Sequence, residues 1–148
     1  MPRYAGRVRG VTLPELLIVL VLIGVAAAIV VPPLGRGLDR AAVLEGAERY
    51  GAIHETARAL AIARSRHSRV EIDSVRRSAT IAVRRNTTAW DTVDVRQLGR
   101  ADVGATRVIV TFSPVGVGFG ASNTTIVFTC GAAAETLTVS RTGRLRRY

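Results

Sequence analysis

Residues 10–31 read GVTLPELLIVLVLIGVAAAIVV, and the class of the protein turns on them. Leu16 to Val31 is an unbroken run of 16 apolar or glycine residues, and counting back to Val11 gives 21. At ~1.5 Å per residue a helix of that length covers ~30 Å, the hydrocarbon thickness of a bilayer. Leucine, isoleucine and valine fall on every side, so this is not an amphipathic surface helix. Upstream, MPRYAGRVRG (residues 1–10) carries Arg3, Arg7 and Arg9 and no acid.

Three readings fit that pattern. One is a secretory signal peptide, with Ala26-Ala27-Ala28 as the small-residue cleavage site. Another is a plain membrane anchor. The third rests on Glu15, a carboxylate inside an apolar run, which costs roughly 2.5–3.5 kcal/mol at the centre of a span and needs a reason to be there. A purely local reason exists: an acid in the first helical turn, favoured by the helix dipole and by Pro14 near the helix start.

Gly10 followed by VTLPELLIVLVLIG resembles the class III signal of type IV prepilins and type II secretion pseudopilins. The resemblance implies that a prepilin peptidase cuts between Gly10 and Val11 on the cytoplasmic side and methylates Val11. It implies that Glu15 pairs with the N-terminal amine of a neighbouring subunit during assembly; opposite charges in low dielectric are tolerable together and costly apart. It also implies that the long helix can loosen at Gly24 and Pro32 within a filament. Two residues depart from the pattern: Val11 stands where Phe or Met is commoner, and Pro14 where Ile, Leu or Val is more usual.

Pro32-Pro33, Gly35 and Gly37 predict a local interruption of the helix. Beyond them Val43, Ala47, Tyr50, Ile53, Ala57, Leu60 and Ala61 recur at spacings of three and four, the stripe of an amphipathic helix running to about Ser65–His67. The period then becomes two. Val70 and Ile72, Thr80–Val83, Thr92–Leu98, Arg107–Phe112, Thr124–Cys130 and Thr136–Ser140 read as strands, with Gly, Ser and Asn in the gaps. The expected fold is α+β: a long N-terminal helix, first transmembrane and then amphipathic, packed on a C-terminal antiparallel sheet. The expected organisation is a leader over 1–10, a transmembrane half-helix over 11–33 and a globular domain over 34–148.

The second half narrows the resemblance. Phe112-Ser113-Pro114-Val115-Gly116 and Ser140-Arg141-Thr142-Gly143-Arg144 are similar to the Phe-x-Pro-x-Gly and Ser-x-x-Gly-Arg strand ends of the GspH/FimT branch, and ALAIARSRHSRVEID (residues 59–73) to its helix end and first strand. The likeness spans most of the chain and is carried least by residues 84–106.

The net charge is +10, and every basic residue is arginine. Four of those arginines, Arg141, Arg144, Arg146 and Arg147, fall in the last eight residues with no acid among them. Gly143 lets the chain turn close to a surface, Arg144 and Arg146 share one side of an extended segment, and guanidinium forks suit phosphate oxygens. Gly143-Arg144-Leu145-Arg146 resembles the Gly-Arg-x-Arg tail of FimT-type minor pilins that take up DNA, which makes DNA an expected partner. Secretion pseudopilins of the GspH type also keep Gly-Arg near the end and are expected to contact secreted proteins instead.

Other motifs carry less. Gly116, Gly118 and Gly120 form GxGxG, but a strand follows rather than a helix, so a hairpin loop is expected and not a dinucleotide site. His54 and His67 are expected on the surface and Cys130 buried, with no metal-ligand spacing and no disulfide partner. Asn86-Thr87-Thr88 and Asn123-Thr124-Thr125 read as turn residues. No catalytic constellation is apparent, so neither enzyme activity nor a cofactor is expected. The expected partners are other pilins or pseudopilins, the prepilin peptidase and the inner membrane, crossed once with the N-terminus cytoplasmic and the globular part periplasmic.

Overall fold

The computed structural model describes residues 10–120 and 123–148. The leader arginines Arg3, Arg7 and Arg9 lie outside the described residues, as does the side chain of Pro32. Helix α1 runs from Leu13 to Ala63. The chain divides into two compact units at Gly35/Arg36.

In the first unit α1 begins just after Thr12, whose carbonyl accepts the N–H groups of Glu15 and Leu16. Its large apolar side chains face outward along its length, with Leu13 72% and Ile29 70% exposed. The expected interruption at Pro32-Pro33, Gly35 and Gly37 is absent, because the backbone stays helical through all four. The prolines each lack an N–H, which leaves the carbonyls of Ala28 and Ile29 without their usual donor. That weakens the ladder locally without breaking it, since the turns on both sides are regular.

In the second unit the remainder of α1 buries Val43, Ala47, Tyr50, Ile53, Ala57 and Ala61 of the stripe read from the sequence, together with Ala42, while Leu60 is only partly buried. The helix closes two residues before its expected end. Ser65 takes a left-handed conformation, Arg66 N–H reaches back to the Ala61 carbonyl and Ser65 N–H to that of Ile62. This is a Schellman closure with serine in the place usually held by glycine.

Eight strands follow rather than six, in two antiparallel sheets rather than one. The strands are β1 (Ser68–Asp73), β2 (Ser78–Arg84), β3 (Trp90–Gln97), β4 (Asp102–Ala105), β5 (Ile109–Phe112), β6 (Thr124–Cys130), β7 (Ala133–Val139) and β8 (Leu145–Arg147). One sheet has the order β3-β2-β1-β5 and the other β4-β6-β7-β8. Strands β4 and β8 are four and three residues long, too short to show alternation. Val70, Ile72, Ile81, Val110 and Phe112 from the first sheet and Ile126, Phe128, Leu137 and Val139 from the second meet the helix stripe in one core. The helix comes close to the second sheet at Gly46, where an added Cβ would lie 2.6 Å from a Phe128 ring carbon and 3.2 Å from the Leu98 carbonyl oxygen.

Candidate functional site

Two regions hold the residues singled out in the sequence. The first is the start of α1. Gly10 and Val11 precede the helix and are exposed, and a Cβ on Gly10 would meet nothing. Glu15 lies in the first helical turn and its carboxylate accepts the Thr12 N–H at 3.5 Å. Thr12-x-x-Glu15 thus makes the carboxylate half of a capping box, and the acid sits where the helix dipole favours it. Gly24 lies within the helix with open space where a Cβ would stand.

The second region is the C-terminal hairpin. Ser140 organises it: its N–H donates to the Arg144 carbonyl at 2.9 Å, its carbonyl accepts Gly143 N–H at 2.9 Å and its hydroxyl oxygen accepts Arg144 N–H at 3.1 Å. Gly143 has φ +79°, and a Cβ there would be 3.0 Å from both the Gly118 nitrogen and the Phe112 ring. The glycine is therefore required twice, by conformation and by space. The Phe112–Gly116 segment closes similarly. Ser113 N–H donates to the Val117 carbonyl, Gly116 N–H to the Ser113 carbonyl, and Phe112 pairs with Gly118. The GxGxG stretch is thus the loop that folds back on β5, as Phe119 N–H bonded to the Thr111 carbonyl at 2.8 Å confirms.

The two turns meet over His54, which corrects the expectation that this histidine is on the surface. It is fully buried; its Nε2 lies 2.9 Å from the Gly143 carbonyl, so that nitrogen carries the proton and donates. Its ring packs edge-on against Phe112 at 4.9 Å. Burial holds its pKa below the usual 6.5, partly offset by the bond to Gly143. Sequence periodicity carried one clue: His54 follows Tyr50 by four residues and Ile53 by one, on the buried side of the stripe.

The structure separates the tail arginines. Leu145 and Arg147 pair with Val139 and Leu137, whose side chains face the core, while Arg146 pairs with Thr138 on the outer face. Arg147 is committed: it bonds the buried Glu135 and also Glu48 on the helix. Both acids raise its pKa, with Glu135 the largest contributor. Arg144 and Arg146 are exposed and form no ion pair among the described residues, and Arg141 lines an open cleft with Arg107, Gly120 and Asn123. Of the four, Arg147 belongs to the fold and the others lie at the surface.

Cys130 is half-buried and its thiol donates to the Asp39 carboxylate at 3.3 Å. That bond, more than burial, pushes the thiol pKa up and keeps it protonated.

Residues 6–31 match the model of the prokaryotic N-terminal methylation motif. No curated protein sequence matches the chain. Among solved structures, the type IV minor pilin FimU of Pseudomonas aeruginosa is similar with a TM-score of 0.60 at 17% identity, over 72% of this chain and 87% of that one. The minor pseudopilin EpsH of the Vibrio cholerae Type 2 Secretion System is similar with a TM-score of 0.55 at 14% identity, over 70% of this chain and 96% of that one. The chain thus carries a prokaryotic N-terminal methylation motif at its start and has the fold of a type IV minor pilin.

Proposed function

We propose that the chain is a minor-pilin-like structural subunit that a prepilin peptidase cuts between Gly10 and Val11 and methylates at Val11. The carrying observation is the methylation motif over residues 6–31, placed across the start of a long apolar helix with Glu15 in its first turn. Residues 11–33 anchor it in the inner membrane, with the N-terminus cytoplasmic and residues 34–148 periplasmic, and the helix assembles with other pilins or pseudopilins. Glu15 pairs with a neighbour's N-terminal amine; Gly24 and Pro32 are the places where the helix loosens in the filament. The role is architectural rather than enzymatic. Co-expression with a prepilin peptidase, followed by mass spectrometry of the N-terminus, tests this reading. A chain starting at methylated Val11 is expected, and Gly10→Ala should leave it uncut. A start after Ala28 would establish an ordinary signal peptide instead.

A second reading concerns what the subunit holds. Exposed Arg144 and Arg146 on the outer side of β8, near Arg141, favour weak DNA binding through phosphate contacts without base readout. Arg147 contributes by pinning β8, not by touching DNA. A salt titration of duplex binding by the full chain in neutral detergent decides it: Arg144→Gln with Arg146→Gln should flatten the log–log slope by about two units. No binding by the parent at low salt would favour the alternative, a GspH-type pseudopilin that contacts secreted proteins.

A further inference from the structure

The arginines are not evenly satisfied. In the second unit every acid except Glu55 sits in an ion pair with an arginine. Charge in excess of those pairs gathers at the end of α1 as well as on the tail. Arg64 and Arg66 follow the helix, are exposed and form no ion pair among the described residues. Arg66 faces Arg84, Arg85 and Asn86 across an open cleft at the start of the β2–β3 connection. The acid at this place is Asp91, already bound by Arg85, and Arg66 and Arg64 lower its pKa further from a distance.

The cleft is organised in advance. Arg84 is held by the carbonyls of Asn86 and Thr87, at 3.2 and 2.7 Å, and its guanidinium lies 5.7 Å from the Trp90 ring centroid. Asn86 Oδ1 accepts the N–H groups of Thr88 and Ala89, and its amide nitrogen has no hydrogen-bond partner among the described residues. The local explanation for Arg64 and Arg66 would be capping of the helix C-terminus. It fails on the bonds: the carbonyls of Leu60, Ala61 and Ile62 are taken by the backbone N–H groups of Arg64, Arg66 and Ser65, and neither guanidinium donates to a helix carbonyl among the described residues.

We propose that this helix-end cleft is a binding site for a phosphate-type oxyanion, received by Arg66 and Arg85 with Asn86 and drawn in by the field of Arg64 and Arg84. A tetrahedral anion offers oxygens to several forks at once, whereas a carboxylate is satisfied by one. The site is separate from the tail and does not depend on whether the tail binds DNA. Free phosphate and the phosphodiester backbone of a nucleic acid share this chemistry.

Trp90, the single tryptophan, lies beside the cleft and serves as the reporter. The full chain in neutral detergent at low salt is titrated by calorimetry and Trp90 fluorescence, once with inorganic pyrophosphate and once with a short thymidine oligonucleotide. Saturable binding is expected in at least one arm, and the arm that binds more tightly identifies the source of the phosphate. Arg64→Gln with Arg66→Gln, which removes no ion pair, should weaken it at least about tenfold, the loss expected from strong charge-assisted contacts. Arg76→Gln with Arg77→Gln, in the turn between β1 and β2 and outside both the cleft and the tail, removes equal charge and should leave it within about twofold. Asp91→Asn should tighten binding, and Asp102→Asn, which removes an acid elsewhere, should not. Absence of binding in both arms, or equal weakening by the two arginine pairs, would overturn the proposal.

Discussion

Helix α1 carries two burial regimes on one continuous backbone. Over Leu13 to Val30, large aliphatic side chains point outward on all sides, Leu20 and Val21 each 64% exposed. Over the remainder the residues are smaller and mixed with charge, yet Val43, Tyr50 and Ile53 are completely buried. Greater hydrophobicity thus goes with less burial inside the chain. The second part owes its place to fit, since alanines and Gly46 let two sheets approach closely. The first part is exposed within its own unit among the described residues, and its apolar surface suits a lipid or a neighbouring helix as its solvent.

The sharpest way to break this contrast is to truncate one large side chain in each part. Phe128→Ala empties the core beside Gly46 and should cost the second unit about 3–5 kcal/mol. Leu20→Ala removes a comparable apolar group from the first part and should change that stability by less than ~0.5 kcal/mol. Denaturant unfolding of the full chain in neutral detergent, followed through Trp90, measures both. Similar losses from the two would end the distinction.

Gly46→Ala gives a smaller effect with a telling sign. In an exposed helix this change stabilises by roughly 0.8–1 kcal/mol. Here the new methyl meets the Phe128 ring and a backbone carbonyl, so overpacking should win by about 1–3 kcal/mol. Gly24→Ala, with open space around its Cβ, is the matched case and should not destabilise. The same unfolding assay separates them, and a stabilised Gly46→Ala protein would show that the sheets do not close on the helix there.

The smallest effect is one of pH. His54 is neutral in its buried place, with its pKa held below 6.5 chiefly by desolvation. As pH falls below that value the unfolded chain binds a proton that the folded chain does not. Stability is therefore full above about pH 6.5 and is lost as pH falls toward the folded pKa. Asp73 and Asp91, lowered chiefly by bonds from the Arg76 backbone and the Arg85 side chain, act in the same direction but only below their ordinary 3.8. Melting temperature should drop between about pH 7.5 and 5.5 in the parent and stay nearly level in His54→Gln. Equal drops in both would place the titrating group elsewhere.

Much of this architecture is legible in the residue order because its causes are local. The apolar run, the acid four residues into it, the stripe from Val43 to Ala61 and the alternation in β1, β6 and β7 are each set within a few neighbouring residues. So are the turns at Gly116 and Gly143, where only glycine suits both the conformation and the space. The proline pair misled, since Pro32 and Pro33 weaken hydrogen bonds that the flanking turns keep in line. Strands β4 and β8 were missed because four and three residues hold too little alternation to be seen.

What the sequence by itself determined is therefore the long helix with its buried stripe, six of the eight strands and the apolar start with its acid. Tertiary structure alone decided the division into two sheets, the burial of His54 beneath the Ser140–Arg144 turn, the capture of Arg147 by Glu48 and Glu135, and the gathering of Arg64, Arg66, Arg84 and Arg85 at one helix end. Each of these joins residues far apart along the chain or sorts chemically identical arginines into different surroundings. Periodicity reports which face of an element is apolar; which distant face covers it, and which charges are left over, follows only when all the surfaces compete to pack at once.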